Sequence, residues 1–272
     1  MALHTYIPRA PLSHFVKSMW LSQGDHAPHR RERVLPNGTM QLLISLREKT
    51  LRVYVREKIH QFQTFPASVV VGMHSEYSVI DTAPQASMIG VAFKPGGASP
   101  FFKCPANEFQ EAHVPLESLW GTGAGELRDR LLEAQTPAEK FRIFEQFLMH
   151  RAVRPLDLHP AVTYALSEFQ GVAHVKPISQ VVNQMGFSAR RFIQVFNESV
   201  GLTPKLFCRI LRFQEVLRFL SGGQEIDLPE IALNCGYFDQ AHFIHDFRGF
   251  SGLSPTDYLT HRSEHVNHVP LF

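Results

Sequence analysis

Phe192-x3-Phe196-x4-Gly201-Leu202-Thr203-Pro204-x2-Phe207 returns later in the same chain as Phe243-x3-Phe247-x4-Gly252-Leu253-Ser254-Pro255-x2-Tyr258. The offset is 51 residues at every position. Just upstream, Ile178–Met185 followed by Gly186 matches Leu228–Cys235 followed by Gly236 at an offset of 50. The second copy therefore carries one extra residue in its turn. A duplicated unit of this size decides the fold of the C-terminal half before any other feature is considered.

Each copy reads as a helix-turn-helix. Val181, Val182 and Met185, then Ile231, Ala232 and Cys235, supply one apolar face of a short helix. Gly186 and Gly236 stand where that helix must stop, because glycine enters the left-handed conformation without steric cost. Ser188 and Asp239 are N-cap residues for the next helix. Phe192/Phe196 and Phe243/Phe247, at i and i+4, belong to the core.

The opposite face is then free for a ligand. In the first copy it carries Arg190, Gln194 and Asn197 at i, i+4, i+7, with Arg191 on its flank. Arg, Gln and Asn side chains fork two hydrogen bonds onto guanine or adenine in the major groove. The second copy presents Ala241, His245 and Arg248, with His242 flanking and Gln240 upstream. This weaker set predicts fewer base contacts. Between the copies, Leu206, Ile210, Phe213, Leu217 and Leu220 make a stripe that begins after Pro204 and ends near Ser221-Gly222-Gly223. About 18 residues at about 1.5 Å each give a rod of roughly 27 Å. Successive major grooves on one side of a duplex lie roughly 34 Å apart, so such a rod suits two probes on one DNA. Lys205, Arg209 and Arg212 on the rod are candidate phosphate contacts.

Charge weighs against this reading at first. Residues 1–154 hold 18 Lys and Arg against 14 Asp and Glu, whereas residues 155–262 hold 9 against 10. Cations cluster on or beside the reading face and the rod, while Asp157, Glu168, Glu225, Asp227 and Glu230 fall mostly outside it. Glu198, Asp239 and Asp246 fall within the recognition helices or at their caps and remain to be explained.

The N-terminal part reads as β. Gln41–Leu46, Leu51–Val55, Ser68–Gly72, Tyr77–Ile80 and Met88–Lys94 are short apolar or β-branched runs separated by turns such as Pro36-Asn37-Gly38 and Pro95-Gly96-Gly97. Their number and spacing predict a small sandwich or barrel. A helical stretch follows over Gly125–Arg151, with Leu127, Leu131, Phe141, Phe144, Phe147 and Leu148 apolar and Thr136-Pro137 a cap. Part of it, Phe141–His150, is a candidate dimer contact. The expected architecture is α+β, with a β-barrel domain over 1–122, a helical linker over 123–154 and an all-α domain over 155–262. Its two units span 178–201 and 228–252, a tail covers 263–272, and the boundary falls at Arg154-Pro155.

Over Ile178–Tyr258 the chain resembles the AraC/XylS family of bacterial transcription regulators, in its two units, its linking helix and its terminal Gly-Leu-Ser-Pro-x-x-Tyr. The resemblance implies promoter DNA as partner, usually activation with RNA polymerase, a homodimer, and an N-terminal effector or dimerisation domain. It carries the reading positions onto Arg190, Ile193 and Gln194, and onto Gln240, Ala241 and His245. Ile193 and Ala241 offer only apolar contact, for example to a thymine methyl. Leu35-Pro36-Asn37-Gly38, Phe93-Lys94-Pro95-Gly96-Gly97 and Leu119-Trp120-Gly121 are similar to the cupin-like barrel of some members. Tyr54, Met73, His74, Tyr77 and Phe93 are then the candidate lining of a small-molecule pocket.

Rival readings have weaker signals. A metal-dependent cupin-type enzyme needs converging imidazoles and a carboxylate, and the sequence offers only the scattered His60, His74, Glu76 and His113 without an HxH. A DNA-repair methyl acceptor needs a reactive cysteine beside a histidine. Cys104 has no adjacent histidine, and Cys208 and Cys235 fall on apolar helix faces. A protein-interaction module without DNA binding is the remaining alternative. No catalytic residue, metal or cofactor is predicted. Three widely spaced cysteines exclude a disulfide scaffold, no run reaches about 18 apolar residues, and the N-terminus has no apolar signal core. A reducing cytoplasm is the expected compartment.

Overall fold

A computed structural model of the chain describes residues 2–24, 29–56, 58–152, 157–170, 177–222 and 227–271. The expected boundary at Arg154-Pro155, and Gly223 and Glu225, lie outside the described residues. The N-terminal part contains strands β1 (Ala2–Tyr6), β2 (Val16–Gln23), β3 (Arg31–Val34), β4 (Gln41–Ser45), β5 (Thr50–Val55), β6 (Lys58–Pro66), β7 (Ser68–Val71), β8 (Ser78–Asp81), β9 (Ser87–Phe93) and β10 (His113–Pro115). Helices α1 (Leu116–Trp120), α2 (Thr122–Glu133) and α3 (Pro137–Arg151) follow. The C-terminal part contains α4 (Pro160–Gln170), α5 (Ile178–Gln184), α6 (Ala189–Val200), α7 (Pro204–Ser221), α8 (Leu228–Asn234), α9 (Gln240–Ser251) and α10 (Pro255–His261), then a last strand, β11 (His268–Leu271).

The α+β class is the one the sequence predicts. The strands, however, form two open sheets rather than one closed barrel. Their orders are β1-β2-β9-β4-β7-β10 and β11-β3-β8-β5-β6. Period-two alternation explains the layering. Leu42, Ile44, Val70, Ile89 and Val91 turn into the main core beneath the helices. Val69 and Met88 turn the other way and meet Leu51 and Phe65 of the second sheet in a small separate cluster. The six-stranded sheet is thus a middle layer, apolar on both faces.

The expected helix over Gly125–Arg151 is two helices. Thr136 accepts from the backbone N–H of Glu139, whose carboxylate accepts in return from the Thr136 N–H, and Pro137 opens α3. This capping box starts a new helix where the apolar stripe alone runs on. Leu127, Leu131, Phe144 and Leu148 are fully buried.

The two parts share one continuous core. α6 rests on the 3-10 turn Ala106–Phe109, and Gln214 of α7 donates to the Pro36 carbonyl at 2.7 Å. The C-terminal residues, expected as a tail, return across the molecule: β11 pairs antiparallel with β3 from His268↔Val34 to Leu271↔Arg31. His268 Nδ1 lies 2.6 Å from the buried Glu32 carboxylate. Burial opposes the charge on Glu32, but its contacts with His268, Gln85 and His29 together outweigh that and hold its pKa below the ordinary carboxylate value.

Candidate nucleic-acid interface

The two units repeat down to their caps. α5 and α8 are 7 residues each, and α6 and α9 are 12 each. Gly186 and Gly236 take φ of +68° and +76° in the turns. Ser188 accepts from the Arg191 N–H, and Asp239 from the His242 N–H. Gly201 and Gly252 close the recognition helices in the left-handed region, each donating to the carbonyl four residues back at 2.8 Å. Thr203 and Ser254 then cap α7 and α10 ahead of a first-turn proline.

Aromatic packing seats each recognition helix. Phe192 packs tilted on Phe196 and Phe196 meets Phe207 edge-on in the first unit, and Phe243, Phe247 and Tyr258 meet edge-on in the second. α7 serves both, since Phe207 packs on Phe196 and Phe213 packs on Phe247 at 5.3 Å. At about 1.5 Å per residue its 18 residues span roughly 27 Å.

With one face of α6 spent on the core, Arg190, Arg191, Ile193 and Gln194 are exposed near its N-terminal end. They form a strip in which the Arg191 guanidinium donates to the Gln194 amide oxygen at 3.1 Å and Gln194 donates to Glu198 at 2.8 Å. Asn197, expected on the same face, is half-buried toward the C-terminal end. On α9, Gln240, Ala241, His245 and Arg248 are exposed and His242 is half-buried. Lys205 is exposed in the first turn of α7. Phe238, in the lengthened turn, is 88% exposed, while its neighbour Tyr237 is buried.

Arg209 and Arg212 are engaged inside the protein. Arg209 donates twice to the Asp246 carboxylate, at 3.2 and 2.7 Å, and lies over the Phe250 ring. Arg212 donates to the Gly236 carbonyl at 3.1 Å and covers the Tyr237 ring. Both hold α7 against the second unit. The same contacts account for the acidic residues: Asp246 is neutralised in place, Asp239 is a cap and Glu198 accepts from Gln194. Only Asp246 is paired with a cation, while Asp239 and Glu198 keep their charge and hold it in hydrogen bonds to the His242 N–H and the Gln194 amide.

Two further residues meet the end of α9: Arg33, which no sequence pattern marks, and Tyr77, expected only as pocket lining. Arg33 of β3 points its guanidinium at the Ser251 and Gly252 carbonyls, 3.4 Å from each. A cation there opposes the negative end of the helix dipole. Tyr77 lies under the Arg33 guanidinium and fills the space a Cβ on Gly252 would need.

Of the candidate pocket residues, Tyr54, His74 and Tyr77 line one open groove of about 940 Å³ with Arg56, Glu111 and His113; Gly249 of α9 reaches its rim. Met73 and Phe93 are packed in the core instead. The Glu111 carboxylate accepts from the backbone and side chain of Ser75, both at 2.5 Å, and pairs with His74. Burial raises its pKa, but these bonds outweigh it and hold the group at about 2. Burial drives His113 down to about 3, with His74 adding to the effect, so it is a neutral imidazole at pH 7. Among the described residues, no group of three or more His, Cys, Asp and Glu side chains is placed to hold a metal ion. Of the four candidate ligands, the His74 and His113 rings pack tilted at 4.9 Å, Glu76 pairs with Arg56, and His60 lies on exposed β6. Cys104 is half-buried, and burial pushes the Cys208 and Cys235 thiols up to about 11. Among the described residues, no helix is long and apolar enough to cross a membrane.

The fold and this strip define a protein with two helix-turn-helix units on one linking helix. Residues 181–261 match the family described as a helix-turn-helix domain, and residues 4–115 match one described as a domain of unknown function. The chain thus carries a helix-turn-helix domain of the AraC type behind a β-rich N-terminal domain. It is also 29% identical over 107 residues to an uncharacterized helix-turn-helix-type transcriptional regulator of Haemophilus influenzae. That match covers 39% of this chain and 35% of the relative. ToxT from Vibrio cholerae is similar at a TM-score of 0.49 and 9% identity, over 96% of this chain and 98% of ToxT. A xylose-binding transcription activator, xylR, is similar at a TM-score of 0.35 and 22% identity, over 53% of this chain and 39% of that one.

Proposed function

We propose that this chain is a sequence-specific DNA-binding regulator of transcription, reading promoter DNA with α6 and α9 in successive major grooves. The twin display carries this reading: two capped helices, each with a buried aromatic face and an exposed polar strip, both seated on one linking helix. The N-terminal residues of such a helix meet base edges. Arg190 and Gln194 are the leading readers, with Arg191, Ile193 and the half-buried Asn197 beside them. Gln240, Ala241, His242, His245 and Arg248 form the second, less polar set. Lys205 meets phosphate. Arg209 and Arg212 act from inside, by holding α9 on α7.

The regulator works as a homodimer in the cytoplasm, with RNA polymerase as partner at the promoter. A small-molecule effector is read in the groove lined by Tyr54, His74 and Tyr77. No catalytic step belongs to this function. Selection of bound sites from a random duplex library by the purified full chain tests it. The expected product is a site with two recognised segments about one helical turn apart, bound with an affinity that falls steeply with salt. Retention no better than an inert control at low salt overturns the reading.

A further inference from the structure

We infer that β1 is the pairing edge for a second copy of this chain, the two β1 strands running antiparallel about His4 to join their six-stranded sheets. The inference deepens the homodimer proposed above and rests on it. It moves the main contact from the Phe141–His150 helix of the sequence expectation to the strand, with Arg142 and Glu145 of that helix at its side. Phe141, Phe144, Phe147 and Leu148 are spent on the chain's own core, which leaves no apolar seam on α3.

An unpaired strand edge is a template for other strands, and proteins blunt such edges with Lys, Pro, bulges or very short strands. Among the described residues, the sheet orders leave four ends: β1, β10, β11 and β6. β10 has three residues and ends in Pro115. β11 has four and contains Pro270. β6 opens on Lys58, closes on Pro66 and meets β5 through a bulge at Tyr54/Val55. β1 has none of these devices. Its ladder with β2 runs without interruption from Ala2↔Gln23 to Tyr6↔Met19. Ala2, Leu3, His4 and Thr5 are exposed, although adjacent residues point to opposite faces. Leu3 is 50% and the following Ile7 70% exposed.

The strand suits itself as partner. A two-fold axis at His4 sets Tyr6 opposite the partner's Ala2 and Leu3 opposite the partner's Thr5, large against small in each case. Beside β1, a groove of about 970 Å³ is floored by Tyr6 stacked on Phe141. Its wall carries Arg9, Arg142 and Glu145. Both signs of charge on one wall give a two-fold copy cations to set against anions, as a self-complementary interface requires.

Sedimentation of the full chain, together with thiol cross-linking, tests the inference. The wild type should sediment as a dimer. The double variant Leu3→Lys, Ile7→Lys should keep the wild-type far-ultraviolet circular dichroism, because both side chains are exposed, and raise the dimer dissociation constant at least about tenfold. His4→Cys should be linked across the axis by a short bis-maleimide beyond the wild-type background, and Ile59→Cys on β6 should not. A wild-type monomer, an unaffected double variant, or linkage at Ile59→Cys without linkage at His4→Cys each overturns it. A monomer that still selects a DNA site would overturn the β1 pairing while leaving the DNA-binding function standing.

Discussion

Arg209 and Asp246 join the rod to the second probe: the guanidinium of α7 forks onto both carboxylate oxygens of α9, and Asp246 is only 2% exposed. The pair explains why an acidic residue lies within a helix proposed to face DNA. Removing one partner strands a buried charge. Arg209→Ala is expected to cost about 3 kcal/mol, measured by chemical denaturation. It should also weaken recognition of the half-site read by α9 more than that read by α6. A stability loss below about 1 kcal/mol would show that the pair is not an anchor.

Arg190 makes the opposite prediction. Its side chain is exposed, so Arg190→Ala should leave the melting temperature unchanged. It should cost about 1–3 kcal/mol on the preferred site and relax selection at one base pair. An unchanged binding profile removes Arg190 from the readers.

Gly252 tests the contact between the N-terminal domain and α9. Its φ is +67°, and an added Cβ would lie 2.3 Å from the Tyr77 ring. Gly252→Ala combines backbone strain with this clash and should destabilise by more than about 1 kcal/mol. Tyr77→Ala made in the same chain should recover the part due to the clash, leaving the strain. Additive losses in the double variant would mean that the two residues do not meet.

His113 fixes a pH dependence. Its pKa is about 3 in the folded chain against an ordinary 6.5. Between those values the unfolded chain binds a proton that the folded chain does not, so this group lowers stability as pH falls from about 6.5 toward 3. Glu111, held at about 2 and facing the same groove through His74, acts in the same direction below its unfolded value of 4.5. Melting temperatures of His113→Gln should therefore fall less than those of the wild type between pH 6.5 and 5, above the range in which Glu111 titrates. Parallel curves would assign the acid sensitivity elsewhere.

The repeat was readable because every position in it serves a local rule. A glycine that must turn left-handed, an oxygen that must cap and a pair of rings at i, i+4 are visible without knowing what they touch. The strands were legible only where apolar or β-branched residues run together, as in β4, β5, β7, β8 and β9. β3 (Arg-Glu-Arg-Val) and β6 (Lys-Ile-His-Gln-Phe-Gln-Thr-Phe-Pro) present little or no apolar pattern. β3 gains its place from β8 on one side and β11 on the other, and β6 is mostly exposed. The reading strip was largely legible for a related reason: once the buried face of α6 or α9 is known, helical geometry assigns the other.

Local spacing by itself thus determined two capped helical units, the rod between them and the side of each that faces outward. Tertiary structure alone decided which charges remain available there. It turned Arg209 and Arg212 inward, buried Asp246 and half-buried Asn197, and brought Arg33 and Tyr77 to the end of α9 from more than 170 residues away. It also opened the β strands into two sheets and carried the last strand back onto the first domain. Charge pairing and sheet edges depend on what packing brings close in space, and one-dimensional spacing holds no record of that distance.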